Sequence, residues 1–405
     1  MCFSRSRDVI SLSQRGKIEA FLAMDVMREA GELERKGASI CHMEVGQPGT
    51  PAPLLVRERA KQALDEELIG YTEALGQLPL RERIALHYKE TYGVSIDANQ
   101  VIITTGSSAG FLLSFLATLD AGDHVLITRP GYPCYREILK ALDLIPVEVP
   151  VGFHNEWMPT VGEISEAIEQ HDVKAILLAS PANPTGVVFD RSRLGSLVDL
   201  AKEKGIWFFS DEIYHGLTYK RPADTALSFL QSPDLQSFAC EASEPQVIIL
   251  NSFSKYYSMT GWRIGWMVVP KSLVRRMEKL NQHLFISAPA LSQIAATVAF
   301  DALGELEGLK NQYSKNREIL TNGLIEAGFE RFAPPGGAFY VYVDVSAFTD
   351  DSLEFSKHLL RTHGIAASSG LDFDRVDGNH MLRFSYAGTE RDVVEAVKRL
   401  KDAKF

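Results

Sequence analysis

Apolar positions along the chain fall into two patterns. From residue 101 onward, short and nearly continuous apolar runs recur at 101–104, 124–128, 173–179, 206–210, 247–250 and 264–269. Runs of this length without strict alternation read as parallel strands buried on both faces. Helical stretches separate most of them, which predicts an α/β layered sheet. Ahead of the sheet, residues 18–30 place apolar side chains on one face of a helix, with Gly37 as its stop after the next turn. The Gly/Pro-rich loop Val45-Gly46-Gln47-Pro48-Gly49-Thr50-Pro51 divides that helix from the rest. Beyond the sheet, helical periodicity runs from about Ser292 through Leu306 and Tyr313 toward Gly328. The remainder has an alternating segment at 339–344, a helix from about Ser352 to His363 stopped by Gly364, an apolar segment at 381–386 and a last helix after Thr389. This predicts a smaller α+β unit. A chain of 405 residues exceeds what one core usually organises, so two domains are expected.

Composition narrows the function by exclusion. The chain is 45% hydrophobic and 23% charged, with a formal net charge of -10, which argues against a general nucleic-acid or anionic-membrane partner. Cys2, Cys41, Cys134 and Cys240 are scattered without a CxxC pair, so neither a disulfide framework nor a metal cluster is expected. No apolar run reaches the ~18 residues of a membrane helix, and residues 1–8 lack the apolar core of a signal peptide. A cytoplasmic protein is expected.

In open α/β sheets, ligands lie beyond the carboxyl ends of the strands, so the residues just after each run are the place to look for chemistry. After 247–250 comes Ser252-Phe253-Ser254-Lys255, with Arg263 eight residues further on. Burial disfavours the ammonium form of such a lysine, and the free amine is a nucleophile toward carbonyls. That points to an imine with pyridoxal 5'-phosphate. After 101–104 comes Thr105-Gly106-Ser107-Ser108-Ala109-Gly110, whose amides and hydroxyls at a helix start suit a phosphate or, more blandly, a helix cap. The segment Ser180-Pro181-Ala182-Asn183-Pro184-Thr185-Gly186 is either a tight turn, with room for a cis Asn183-Pro184 bond, or a turn that offers the Asn183 amide. In Asp211-Glu212-Ile213-Tyr214, Asp211 is either a helix cap or the carboxylate that keeps a pyridine nitrogen protonated. Arg263 and Arg383 are either forks for anions or an ordinary surface ion pair and an exposed strand residue.

Together these segments resemble the fold type I pyridoxal-phosphate enzymes, specifically class I aminotransferases related to aspartate aminotransferase, and the resemblance spans nearly the whole chain. It rests on Ser252-x-Ser254-Lys255 with Arg263, and on Asn183-Pro184-Thr185-Gly186 and Asp211-Glu212-Ile213-Tyr214 in the same order. The resemblance implies a three-layer αβα large domain with a mainly parallel sheet, and a smaller α+β domain formed by the N- and C-terminal parts. The expected bounds are 1–45 for an N-terminal segment on the small domain, 46–288 for the cofactor domain, and 289–405 for an interdomain helix and the small domain.

By the same resemblance, Lys255 is the imine lysine and proton shuttle, and Asp211 pairs with the pyridinium nitrogen. Asn183 and Tyr214 hydrogen-bond the phenolic oxygen. Ser107, Ser108, Ser252 and Arg263 hold the phosphate, and Tyr132 stacks on the ring. Arg383 binds the substrate α-carboxylate, with Gly46 and Asn183 beside it. Tyr71 reaches the phosphate of a neighbouring subunit, which implies a homodimer. No metal is implied. The segment Gly370-Leu371-Asp372-Phe373-Asp374 departs from the Phe-Gly of many relatives and leaves the substrate-side loop open.

Relatives that prefer dicarboxylic amino acids carry a second cation, and no residue takes that role by motif. Neutral or aromatic L-amino acids are therefore the favoured donors, with 2-oxoglutarate or pyruvate as acceptor, in a ping-pong transamination. A β-lyase of the same fold and a non-catalytic effector-binding module are the alternatives, because fold alone does not decide which bond breaks.

Overall fold

The computed structural model describes residues 12–230 and 246–403. Residues 1–8, Cys2 and Cys240 therefore lie outside the described residues, while Cys41 and Cys134 are free thiols. Twelve strands are present among the described residues. β1 (Cys41–His42) precedes the main set: β2 (Val101–Thr104), β3 (His124–Arg129), β4 (Ile145–Pro150), β5 (Val173–Ala179), β6 (Trp207–Asp211), β7 (Val247–Ser252) and β8 (Gly265–Val268). The later strands are β9 (Tyr340–Asp344), β10 (Ile365–Ala366), β11 (Ser368–Ser369) and β12 (Met381–Ser385).

β2 to β8 form a seven-stranded sheet in the order β2-β8-β7-β6-β5-β3-β4. Its strands alternate side chains between two cores. Ala175 and Leu177 join Phe111, Phe209, Ile248 and Met267 on one face, while Ile176 and Leu178 join Ile103, Phe208, Ile249 and Trp266 on the other. Each of the larger aliphatic and phenylalanine side chains among these contributes about 1.5–3 kcal/mol when fully buried, so the sheet is anchored from both sides. Helices cover both faces, giving the expected αβα layering.

Two features of this sheet differ from the sequence reading. β4 was not expected; its two prolines lack the amides a central strand needs, but it sits at the edge and pairs only with β3. The run at 264–269 does form a strand, yet β8 is antiparallel to both neighbours although this run itself read as a parallel strand; the sheet is mainly parallel, as expected. Burial pattern cannot report strand direction.

The second body is built from both ends of the chain. β9, β11 and β12 form an antiparallel sheet in the order β11-β12-β9, and β1 pairs parallel with β10. The helix Ser352–His363 follows its expected bounds, with Asp351 capping two amides and Gly364 turning left-handed at φ 64°. The last helix, Glu390–Asp402, is capped by Thr389 as expected. The long helical stretch instead breaks into Ala290–Thr297 and Leu303–Glu326 around a short 3-10 turn. β9 alternates in sequence, but its residues 340–343 are all buried, because the sheet is covered on both sides.

The first helix starts at Leu22, later than its periodicity suggested, and runs to Arg35, with Gly37 left-handed at φ 94° just past its end as expected. Asp372 accounts for the start: its two carboxylate oxygens accept from the Leu22 and Ala23 amides at 2.7 Å each. The cap comes from 350 positions away, so no local pattern could reveal it.

Candidate active site

The parallel strands β3, β5, β6 and β7 end at one edge of the sheet, and the loops after them converge there. β8 enters from the same edge because it runs antiparallel. Its Gly265 pairs with Ser252 on one side and Thr104 on the other, which brings Arg263 beside the start of helix Gly106–Thr118. A Cβ on Gly106 would lie 2.3 Å from Arg263 Nη2, and one on Gly265 would lie 3.0 Å from the Ser107 amide nitrogen. Glycine at these positions lets backbone and guanidinium approach closely.

Ser107 and Ser108 occupy the first turn of that helix, at a helix start as expected. Their position exposes unpaired helical amides to an anion. Arg263 is exposed, donates to the Thr260 carbonyl at 3.0 Å and has no carboxylate partner among the described residues, so the surface-ion-pair alternative fails. The Ser252 hydroxyl lies 2.8 Å from Ser254 Oγ and 3.1 Å from the Ile264 carbonyl, and it accepts from the Ser254 amide at 3.1 Å. These contacts hold the turn that carries Lys255.

Lys255 Nζ donates to the Gly46 carbonyl at 2.7 Å and lies 5.9 Å over the Tyr214 ring. Burial, then the nearby cations Arg383 and Arg263, lower its pKa to about 8. Asp211 ends β6 and is 3% exposed. It accepts from the Tyr135 hydroxyl and, at 3.0 Å, from the Ile213 amide. Burial raises its pKa to about 6. The cap alternative is thus half right, since Asp211 holds a turn amide while its carboxylate also faces Tyr135. Glu212 points the other way, accepting from Ser210, Thr225 and the Ala226 amide.

Arg383 is 2% exposed and not a surface residue. Its guanidinium lies between the rings of Tyr340 and Phe373, at 4.4 and 4.6 Å from their centroids. Nη1 donates to Asn183 Oδ1 at 2.9 Å, and Nη2 reaches the Glu44 carbonyl and Ser368 Oγ. Nε has no partner. An unspent donor on a buried guanidinium is costly unless an acceptor arrives. The Asn183-Pro184 bond is cis.

Tyr132 begins the helix Pro133–Ala141 and meets Tyr135 edge to face at 5.3 Å. Tyr214 does not meet Asn183; its hydroxyl lies 2.7 Å from that of Tyr340. Gly46 is near Lys255, and a Cβ there would lie 1.7 Å from the Tyr340 hydroxyl. Tyr71 stays apart from the site in this chain and is 85% exposed.

Four contributors escaped the sequence reading: Tyr135, Tyr340, Phe373 and Ser368. Tyr135 follows Tyr132, the extended N-cap residue of the helix Pro133–Ala141, by three positions, and that closeness in sequence offered a signal. The others come from strand pairing and loop packing, which carry no motif. The unusual segment 370–374 proves structural: Asp372 caps the first helix, the Phe373 carbonyl accepts from Gly131 at 3.0 Å, and Asp374 pairs with Arg129 at 3.4 Å. A cavity of about 900 Å³ lined by Tyr92, His215 and Tyr256 contains none of the predicted site residues. The site is defined by converging side chains, not by cavity size.

The donor set fits pyridoxal 5'-phosphate. An anion cradle of helical amides, serines and an unpaired arginine lies at the edge that also carries a depressed-pKa lysine and a buried carboxylate suited to a pyridinium. Fold and site define a phosphopyridoxal-dependent enzyme of the α/β type.

Residues 40–400 match the family model "Aminotransferase class I and II", and the chain belongs to that family, whose members depend on pyridoxal 5'-phosphate. It is a transferase of amino groups. Among its relatives, valine–pyruvate aminotransferase of Mycobacterium tuberculosis is 41% identical over 388 residues, covering 95% of this chain and 96% of that one. Aspartate aminotransferase of Pyrococcus horikoshii is 31% identical, covering 93% and 94%. The crystal structure of an aminotransferase from Mycobacterium tuberculosis superposes with a TM-score of 0.90 at 40% identity, covering 97% of this chain and 99% of that one. No described helix is long and apolar enough to cross a membrane.

Proposed function

We propose that this protein transfers the amino group of a neutral or aromatic L-amino acid to a 2-oxo acid in two half-reactions, the first product leaving before the second substrate binds. The observation that carries the proposal is the grouping of Lys255, Asp211 and the partly unsatisfied Arg383 at one sheet edge. When bound, pyridoxal 5'-phosphate supplies the electron sink that lets a substrate α-hydrogen leave as a proton.

The chain's residues do the rest. Lys255 is the covalent attachment point and carries the proton from the substrate α-carbon to C4'. Its pKa of about 8 keeps a working fraction of free amine near neutral pH. Asp211 holds the ring nitrogen protonated, and Tyr132 offers a ring face. Ser107, Ser108, Ser252 and Arg263 bind phosphate. Asn183 and Tyr214 donate to the ring oxygen, with Asn183 Oδ1 already committed to Arg383 so that its NH2 is the donor left. Arg383 grips the α-carboxylate, with the Gly46 loop alongside. The division of the chain near residues 45 and 288 belongs to the same proposal.

Donor preference follows from what is missing. The arginines nearest Tyr132 in sequence are taken: Arg129 by Asp374 and Asp377, and Arg136 by Glu137 and Glu148. A distal carboxylate would find neither free. The relative at 41% identity, named for valine and pyruvate, agrees with a neutral donor.

We also propose a cytoplasmic homodimer in which Tyr71 reaches the partner's phosphate site. The exposed Leu64, Leu68, Ile69, Tyr71, Leu284 and Ile286 support it. The 64–71 and 284–286 stretches are neighbours, because Thr72 donates to Ser287 at 3.4 Å. Such an apolar group on the surface is typical of an interface.

The test is a panel of amino acids against pyruvate and 2-oxoglutarate, with product analysis and Lys255→Ala as control. Transfer from valine-like or aromatic donors, abolished in K255A, is expected. Release of pyruvate and ammonia from a β-substituted amino acid without any acceptor would overturn it in favour of a lyase.

A further inference from the structure

Tyr340 is a deeply buried side chain of the site that no motif marks. It is 1% exposed, and its hydroxyl lies 2.7 Å from that of Tyr214, itself 4% exposed. Its ring lies 4.4 Å from the Arg383 guanidinium carbon. Strand register explains the contact with Arg383: Arg383 pairs with Tyr342, so Tyr340 is its diagonal neighbour on the same face of the β9–β12 ladder.

Each phenol has one proton to give, and the contact between them uses one. If Tyr214 gives its own proton to the cofactor's ring oxygen, Tyr340 must be the donor in the pair. The cation supports that order. Arg383 lies directly against the Tyr340 ring and stabilises a polarised phenol there, making Tyr340 the stronger donor of the two. Lys255, over the Tyr214 ring, and Tyr132 are the other titratable groups facing the pair. A donor that itself accepts a hydrogen bond is strengthened, more so where water is excluded.

We propose that Tyr340 is a positioning residue: its hydroxyl donates to Tyr214 Oη and holds Tyr214 as a donor toward the ring oxygen, while its ring separately shelves Arg383. This rests on the reading of Tyr214 given above. It also accounts for Gly46, since any side chain there would collide with the Tyr340 hydroxyl.

The test uses purified holoenzyme carrying Tyr340→Phe, Tyr214→Phe, both together, or Tyr340→Leu, with melting temperatures to confirm folding. The readout is the pH midpoint of the bound cofactor's visible absorption band. Donation to the ring oxygen favours its anionic form and lowers that midpoint. Tyr340→Phe is expected to raise it by about 0.5–1 pH unit, the worth of one net hydrogen bond, and to leave the amino-acid KM within about twofold. Tyr214→Phe is expected to raise it further, with no additional change in the double variant. Tyr340→Leu, lacking the shelf, is expected to raise KM about tenfold. A shift in Tyr214→Phe without one in Tyr340→Phe would overturn the relay alone. An unshifted Tyr214→Phe would remove its premise, and both readings would fall.

Discussion

Arg383 Nη1 donates to Asn183 Oδ1 at 2.9 Å, joining β12 of the small sheet to the turn after β5 across 200 positions of sequence. The residue proposed for the substrate carboxylate and a residue proposed for the cofactor's ring oxygen thus orient one another. A planar fork is required for this, because Nη1 holds Asn183 and Nη2 reaches the Glu44 carbonyl and Ser368 Oγ while Nε keeps an unspent donor. Arg383→Lys is therefore expected to lower kcat/KM by about a hundredfold or more, with most of the loss in KM. Steady-state kinetics with a neutral donor decide it; an unchanged KM would contradict the assignment.

Lys255 reacts through its free amine, and its pKa of about 8 sets when that form is present. The observed rate at which cofactor-free protein captures pyridoxal 5'-phosphate is expected to rise with pH and level off above about 8 to 9. Stopped-flow absorbance would follow it. A midpoint near the ordinary lysine value would mean that burial and the two arginines do not depress it.

Asp211 predicts the opposite sign for stability. Its pKa is raised from 3.8 to about 6, so the folded chain holds this proton more tightly than the unfolded chain does. Stability from this group is fully present below about 3.8 and is lost as pH rises through about 6. In cofactor-free protein, Asp211→Asn should therefore be the more stable form at pH 7.5, by at most about 3 kcal/mol, with the gap closing toward pH 4. Added cofactor should stabilise wild type more than the variant, because only the carboxylate offers a charge to the ring nitrogen. Thermal melts at both pH values, with and without cofactor, test both halves.

Leu68 is 95% exposed and lies three residues from Tyr71. In the proposed homodimer, Leu68→Asp is expected to shift the assembly toward monomer, by placing a charge in the proposed apolar interface, and to weaken cofactor retention if Tyr71 reaches the partner's phosphate site. Tyr71→Phe should weaken retention without dissociating the dimer. Sedimentation velocity, with cofactor content measured on the same fractions, separates the two.

Much of this site was legible because its residues sit at strand ends, where an apolar run stops and polar chemistry begins. Lys255, Asp211, Asn183 and Arg263 all follow such a run, or precede one that turns back. Legibility failed where position depends on pairing across the chain. Tyr340 looks like any alternating strand residue until its register with β12 is known. Asp372 looked like a departure in a loop until the amides of Leu22 and Ala23, far upstream, supplied its purpose. Prolines hid β4, since an edge position that excuses them is not a local property.

The pairing of β1 with β10 has a consequence for the order in which the molecule is made. Cys41 faces Ile365 in that parallel pair, and the first helix takes its cap from Asp372. A growing chain emerges N-terminus first, so β1 and the start of the first helix must wait without their strand partner and their cap while the seven-stranded sheet forms behind them. Only when the residues after 364 emerge can these elements dock, together with the strand that bears Arg383. The sheet edge proposed for the cofactor is thus complete before Arg383, proposed for the substrate, arrives. A nascent chain halted near residue 350 should already carry the proposed phosphate cradle and Lys255, yet lack the arginine proposed to grip a substrate carboxylate.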